Sequence, residues 1–202
     1  MSGTTDYAID KNSGLHSIIL NGSSYYTANM SNVNLDLLST MNINNVQGIT
    51  IACTIRLDAT TLQYQQIYYL NSTDNKYILE MFMEFDVCSF RIIYDGIYTQ
   101  KCKLIYHTLK TDTFYTITWI IQKGNNFNSA SWFVYIGDNL VYTREGSSLW
   151  MGTYNRLFIG SFNGTNTMRG NMNDFRIYNK QLVINEIKVI SYKTYYYPDT
   201  LT

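Results

Sequence analysis

Three acidic residues lie close together in one short stretch of the chain, and their spacing could support chemistry on a sugar. Glu80, Glu84 and Asp86 have the same parity, so in an unbroken strand all three side chains would project to one face. Two carboxylates flanking a scissile bond are what glycoside hydrolysis requires. The same spacing also fits an exposed strand face whose charges give solubility and protect a sheet edge.

Aromatic residues near predicted loops and strand ends form a second candidate site. A tyrosine or tryptophan ring stacks on the apolar face of a sugar and offers a hydroxyl or N–H for hydrogen bonding. The candidates for ligand binding are Tyr25, Tyr26, Tyr68, Trp150 and Tyr154. Tyrosines in strands also pack in cores, and surface tyrosines suit protein–protein contacts equally well. These residues therefore predict a partner that is a glycan or a protein.

Three cysteines cannot all pair within one chain, and we expect none of them to pair. Cys88 and Cys102 flank a hairpin signal at Asp95-Gly96. A two-residue turn there sets Cys88 opposite Lys103, so the thiols of Cys88 and Cys102 point to opposite faces unless a bulge shifts the register. We predict that Cys53, Cys88 and Cys102 are free thiols, mostly buried.

Composition and charge exclude several classes of function. The formal net charge of the 202 residues is zero, and no basic run indicates a nucleic-acid partner. No apolar stretch approaches the roughly 18–20 residues that span a bilayer, and the polar start of the chain lacks a secretory signal. His16 and His107 are isolated, so neither zinc binding nor a nucleophile–base pair is indicated.

Short alternating segments with turn residues between them dominate from about residue 15 to 178. Residues 48–57 alternate cleanly, which predicts a strand with one buried face. About a dozen such segments predict an all-β fold, a two-sheet antiparallel β-sandwich. Residues 181–191 are the one helical segment, near the carboxyl end. No linker divides the chain, so we expect a single domain over 1–202 with its core at about 15–190.

Four segments, in order, resemble the laminin-G-like family of concanavalin A-like jelly rolls. They are Leu20–Tyr26, Ile49–Ile55, the pair Tyr115–Ile121 and Trp132–Asp138, and the closing run Leu157–Gly160 and Arg169–Leu182 that ends at Glu186-Ile187. The closing run is the most specific, since Gly170, Asp174, Arg176, Ile177, Tyr178 and Leu182 are all in register with the family pattern. The resemblance implies a concanavalin A-like jelly roll.

The resemblance also implies two possible sites. Many relatives hold one structural calcium ion near the opening loop and the last strand, which here places the ligands at Asn21, Asn173 and Asp174. Asn21 and Asn173 stand where the family usually has aspartate, and the loss of charge weakens calcium binding. Glucanases share the fold, but Cys88 falls where their third acidic residue would be.

The sequence favours a non-catalytic recognition domain that binds glycan or protein through sheet-edge loops or a sheet face. The alternative is a structural or assembly component, such as a virion-surface, capsid-associated or fibre protein, and a homo-oligomer is possible. A glycoside hydrolase is the minor alternative. The sequence does not assign a location, and a virion or cell surface is possible. The tyrosine-rich tail at residues 192–198 could pack on a sheet or dock a partner.

Overall fold

A computed structural model describes residues 7–9, 16–22, 25–29, 48–58, 64–72, 74–123, 129–148, 154–162, 164 and 166–195. These residues form thirteen strands and one helix. The strands are β1 (Tyr7–Ile9), β2 (His16–Asn21), β3 (Tyr26–Asn29), β4 (Gly48–Leu57), β5 (Gln65–Asn71), β6 (Ile78–Glu84), β7 (Val87–Tyr94), β8 (Tyr98–Thr108), β9 (Phe114–Lys123), β10 (Ser129–Ile136), β11 (Asn139–Ser148), β12 (Arg156–Ile159) and β13 (Arg169–Tyr178), and the helix is α1 (Ile184–Tyr195).

The strands form two antiparallel sheets, which confirms the predicted all-β sandwich. One sheet has seven strands in the order β1-β2-β13-β4-β9-β10-β11, and the other has six in the order β3-β12-β5-β6-β7-β8. Strands β1 and β3 were not predicted, because β1 lies in a polar segment and β3 is only four residues long. Helix α1, the one helix among the described residues, has 12 residues, fewer than the roughly 20 that span a bilayer.

Strand β4 has the predicted alternation, but both of its faces are covered. Ile49, Ile51, Cys53, Ile55 and Leu57 belong to the main core between the sheets, as expected. The opposite face is also largely buried, because helix α1 packs against it through a second apolar cluster. The expectation of one buried face is therefore corrected, since the helix supplies a cover that the strand sequence does not indicate.

Helix α1 is fixed to the seven-stranded sheet by hydrogen bonds at its amino end. The Thr50 hydroxyl donates to the Lys180 carbonyl (2.8 Å) and accepts from the Leu182 amide (3.0 Å). The Glu186 carboxylate accepts a hydrogen bond from the Val183 amide (3.0 Å), which satisfies one of the free amides at the start of the helix. Ile187 then fills the second cluster beneath the helix.

The β7–β8 hairpin differs from the predicted register by one residue. Tyr94 pairs with Tyr98 rather than Ile97, and Cys102 lies opposite Phe90. A second register shift lies between Val87 and Ser89, so that Ser89 pairs with Lys103 but Val87 pairs with Thr108. The predicted pairing of Cys88 with Lys103 is wrong, because a two-residue turn was assumed where three residues connect the strands.

All three cysteines are free and buried, as predicted. Burial raises the pKa of each thiol, to about 12 for Cys102. The Sγ atom of Cys53 lies 3.7 Å from the Sδ atom of Met81. The thiols are therefore core side chains held in their neutral form.

Gly170 allows β13 to enter the sheet close to β4. Its φ is +146°, and a Cβ at this position would lie 1.9 Å from the Arg56 carbonyl oxygen. The backbone of β4 therefore leaves no room for a side chain at this position, and glycine permits the tight entry into the last strand. From there β13 pairs with β2 through residues 169–172 and with β4 through residues 170–178.

Candidate functional site

A cleft opens at the end of the sandwich where β2 and β6 finish and where β5 and β13 begin. We call it the end cleft. It has a volume of about 590 Å³, within the range of small-molecule sites. The residues that line it are Gly22, Tyr64, Glu84, Phe85, Asn166, Thr167 and Arg169.

One wall of the end cleft is held by the segment that leads into β13. The Thr167 hydroxyl donates to the Gly22 carbonyl, and the Gly22 amide donates to the Met168 carbonyl (3.2 Å). The Arg169 amide donates to the side-chain oxygen of Gln65 (3.1 Å), which is fully buried. Residues from three strands or their ends thus fix the backbone on which Arg169 is carried.

The opposite wall contains a tyrosine fixed by a buried carboxylate. The Tyr64 ring stacks on Phe82, with 4.7 Å between ring centroids, and its hydroxyl donates to Glu80 (3.3 Å). Glu80 is 0% exposed and is neutralised by an ion pair with Arg91. Gln66 donates a further hydrogen bond to Glu80 (2.8 Å). Burial, followed by the charge of Glu80, raises the pKa of Tyr64, so its hydroxyl remains a neutral donor.

Glu84 is the acidic group of the end cleft, and its charge is fixed. Lys101 and Lys103 both bind its Oε2 atom, at 2.7 and 2.6 Å. Their hydrogen bonds lower the pKa of Glu84 to about 2. The carboxylate is therefore ionised at neutral pH and can accept hydrogen bonds.

Phe85 projects from the tight turn between β6 and β7. It is 55% exposed, although a large apolar side chain normally gains free energy by burial. Its φ is 57°, in the left-handed region, where a residue with a side chain costs roughly 1–2 kcal/mol. An exposed aromatic ring on strained backbone, at the rim of a cleft, is the kind of arrangement that occurs at functional sites.

The three acidic residues that could have supported hydrolysis do not form a catalytic pair. Glu80 and Glu84 share the outer face of β6 but stand four residues, about 13 Å, apart along the strand. That separation exceeds the roughly 5–9.5 Å used by glycosidases. The strand ends at Glu84, so Asp86 lies in the turn rather than on the same face. Glu80 is ion-paired and the pKa of Glu84 is low, whereas a general acid needs a raised pKa.

The predicted aromatic residues are not brought together. Tyr68 and Tyr154 are each 1% exposed and lie in the core, so the expectation that they bind a ligand at the surface is corrected. Tyr26 is half-buried and packs against the same core. Tyr25 is half-buried beside Gly164, in the segment that leads to the end cleft. Trp150 lies outside the described residues.

The residues proposed for calcium do not converge either. Asn21 pairs in register with Arg169, whereas Asn173 follows four residues later on β13, about 13 Å away. Asp174 forms an ion pair with Arg176 at 2.6 Å. Within the described ranges, no three His, Cys, Asp or Glu side chains are grouped as metal ligands. Asn21, Asn173 and Asp174 therefore do not form one ligand set.

The sequence did not indicate most of the residues of the end cleft. Tyr64 directly precedes β5 and Glu84 ends β6. Phe85 and Asn166 reach the cleft through turns in which their φ is positive, and a phenylalanine in a sequence does not indicate such a turn. Arg169 stands directly before Gly170 in the run that resembles the family. This position before Gly170 is the feature of the sequence that could have indicated Arg169.

No family model matches the chain, and no curated protein matches it. Solved structures do share its fold. One is the crystal structure of the native heptameric SAP-like pentraxin from Limulus polyphemus, with a TM-score of 0.55 and 12% identity over 72% of this chain and 70% of that chain.

Botulinum neurotoxin binding domains match over more of the chain. The binding domain of botulinum neurotoxin DC in complex with rat synaptotagmin II has a TM-score of 0.70 and 12% identity, over 96% of this chain and 46% of that chain. A structure of botulinum neurotoxin type C, whose cell entry depends on interaction with two ganglioside molecules, has a TM-score of 0.69 and 13% identity, over 96% and 45%. This chain thus spans a little under half the length of these toxin chains. At such low identity the similarity shows only the fold, a jelly-roll β-sandwich.

Proposed function

We propose that this chain is a non-catalytic recognition domain that binds a glycan through the end cleft. The observation that carries the proposal is the exposed, strained Phe85 at the rim of a cleft whose walls hold a hydrogen-bond acceptor and a donor. An aromatic face stacks on the apolar side of a sugar ring. The carboxylate of Glu84 accepts from sugar hydroxyls, and the guanidinium of Arg169 donates to them.

The fold and its neighbours are consistent with this proposal. The pentraxin and the toxin binding domains carry the same sandwich, and the neurotoxin structures involve ganglioside and synaptotagmin partners. Those partners belong to whole chains about twice as long as the part that matches. The proposal for this chain therefore depends on its own cleft.

A glycan array with the wild-type chain and two glycine variants tests the proposal. In Phe85→Gly the ring is lost and the left-handed backbone is relaxed, so we expect stability within about 1 kcal/mol of wild type but at least about tenfold weaker glycan binding. Asp95→Gly is the matched control, because Asp95 has a φ of 52° in the turn at the opposite end of β7. It should keep full binding.

The two variants separate a binding role of Phe85 from a structural one. If Phe85→Gly destabilised the chain by several kcal/mol, the ring would be part of the core and the proposal would lose its basis. Unchanged binding by a folded Phe85→Gly variant would exclude the end cleft as the glycan site.

A second candidate function is protein contact at the edge of the six-stranded sheet, as expected of an assembly component. Strand β8 is the last strand of that sheet. It carries two exposed neighbouring residues, Ile105 and Tyr106, and Tyr106 is 88% exposed. Exposed apolar residues on an edge strand favour association with another chain. Light scattering over a range of concentrations tests this, because Tyr106→Ser should reduce any self-association that wild type shows. A wild-type chain that stays monomeric at every concentration would argue against it.

A further inference from the structure

We infer that the end cleft selects sugars that carry an anionic group and that Arg169 is the residue that binds this group. The inference rests on the proposed function and adds the class of ligand. Its basis is a cation in the cleft that pairs with no acidic residue in the described part of the chain.

Arg169 is exposed, and its guanidinium forms no ion pair with any acidic residue that the structure describes. The other lining residue with a charge, Glu84, is already bound by Lys101 and Lys103. A guanidinium presents a planar fork of donors that fits a carboxylate or a sulfate with two parallel hydrogen bonds. The unpaired cation is thus available to an oxyanion of the ligand.

The position of Arg169 is built into the fold. Its side chain passes over Gly22, where an added Cβ would lie 2.6 Å from Nε and 3.0 Å from Cγ. Gly22 has a φ of +85°, which glycine adopts without strain. The absence of a side chain at Gly22 also leaves room for the side chain of Arg169. The buried Gln65 holds the Arg169 amide from the other side. The backbone of Arg169 is therefore fixed at the cleft, and its side chain lies over the end of β2.

The charges around the end cleft add to this selectivity. Arg169, Lys101, Lys103 and Arg91 are the cations that line the cleft or pair with the carboxylates of its walls, and Glu80 and Glu84 are those carboxylates. Asp58, whose amide donates to the Arg169 carbonyl (3.0 Å), pairs with Arg56, and Asp86 follows Phe85 in the turn. With these groups included, five cations and four carboxylates leave an excess of one positive charge on a chain whose formal net charge is zero. A local positive field of this kind attracts anions and weakens as salt increases.

Titration calorimetry with three related sugars tests the inference. The probes are lactose, lactose with a sialic acid on its galactose, and lactose with a sulfate on its galactose, so that the neutral core is constant and the two sources of anionic charge are compared. We expect both acidic probes to bind at least about tenfold more tightly than lactose at low salt. The preference should decrease at 0.5 M salt.

Variants assign the preference to Arg169. Arg169→Gln should remove the preference, so that lactose and the two acidic probes bind this variant with equal affinity, and Arg169→Lys should retain part of the preference. Lys188→Gln, on the exposed side of helix α1, makes the same change of net charge away from the cleft and should leave the preference intact. Glu84→Gln should increase the preference for the acidic probes over lactose, since it removes a negative charge from the cleft.

The results distinguish this inference from the proposed function. Equal binding of lactose and the acidic probes, or a preference that survives Arg169→Gln, would overturn the inference and leave a Phe85-dependent glycan site in place. If no glycan bound, on the array or in calorimetry, both would fall.

Discussion

The seven-stranded sheet buries part of its outer face under helix α1, whereas the outer face of the six-stranded sheet carries ion pairs and stacked rings from its own strands. On the first face, Ala52, Ile120 and Ile187 form an apolar cluster beneath the helix. On the second, a buried Glu80 is neutralised by Arg91, whose guanidinium also lies over the Phe82 ring. Apolar packing tolerates small shifts, but a buried carboxylate needs each of its partners in place. The end cleft adjoins the outer face of the six-stranded sheet, where the buried carboxylate of Glu80 needs all of its partners.

The largest expected effect on stability comes from removing Arg91 from the outer face of the six-stranded sheet, which we call the polar face. Arg91→Met leaves Glu80 buried without its ion-pair partner, so we expect a loss of about 3 kcal/mol in the free energy of unfolding. The double variant with Glu80→Gln should recover most of that loss, because no charge is then buried. Urea denaturation of both variants measures the difference. A single variant that lost less than the double variant would show that Glu80 does not depend on Arg91.

A smaller effect on stability is expected in the apolar cluster beneath helix α1. Ile187 is fully buried beneath the helix, and Ile187→Ala should cost about 2–3 kcal/mol through lost burial and the cavity that remains. Val189→Ala is the matched control on the exposed side of the same helix and should change stability by no more than about 0.5 kcal/mol. Equal effects of the two changes in urea denaturation would mean that the helix does not cover the sheet as described.

The smallest effect concerns pH at the rim of the polar face. Because the folded pKa of Glu84 is about 2, below its ordinary value of 4.5, its pairing with Lys101 and Lys103 stabilises the fold above pH 4.5. This contribution is lost as the pH falls from about 4.5 towards 2. The stability difference between wild type and Glu84→Gln should therefore be present at pH 7 and decrease at pH 3. A difference that grows on acidification would contradict the assigned pairing.

Alternation was enough to predict most strands, and the apolar spacing of residues 181–191 predicted a helix there, which the structure places at Ile184–Tyr195. The alternating run at residues 48–57 gave the bounds of β4. The register of the β7–β8 hairpin was not predictable, since one additional loop residue moves every pair. Tyr154 was misassigned to a surface loop because loop residues can turn into the core. The cleft residue Phe85 was missed because its exposure follows from backbone geometry rather than from residue type.

Strand β13 has a consequence for the order in which the molecule can assemble. It lies between β2 and β4, so two strands from the first third of the chain meet only through a strand from the last fifth. Before residues 169–178 leave the ribosome, β2 and β4 have no partner on their facing edges. Such distant pairing slows folding, and the nascent chain must keep those edges from joining one another or a neighbouring polypeptide until synthesis is nearly finished.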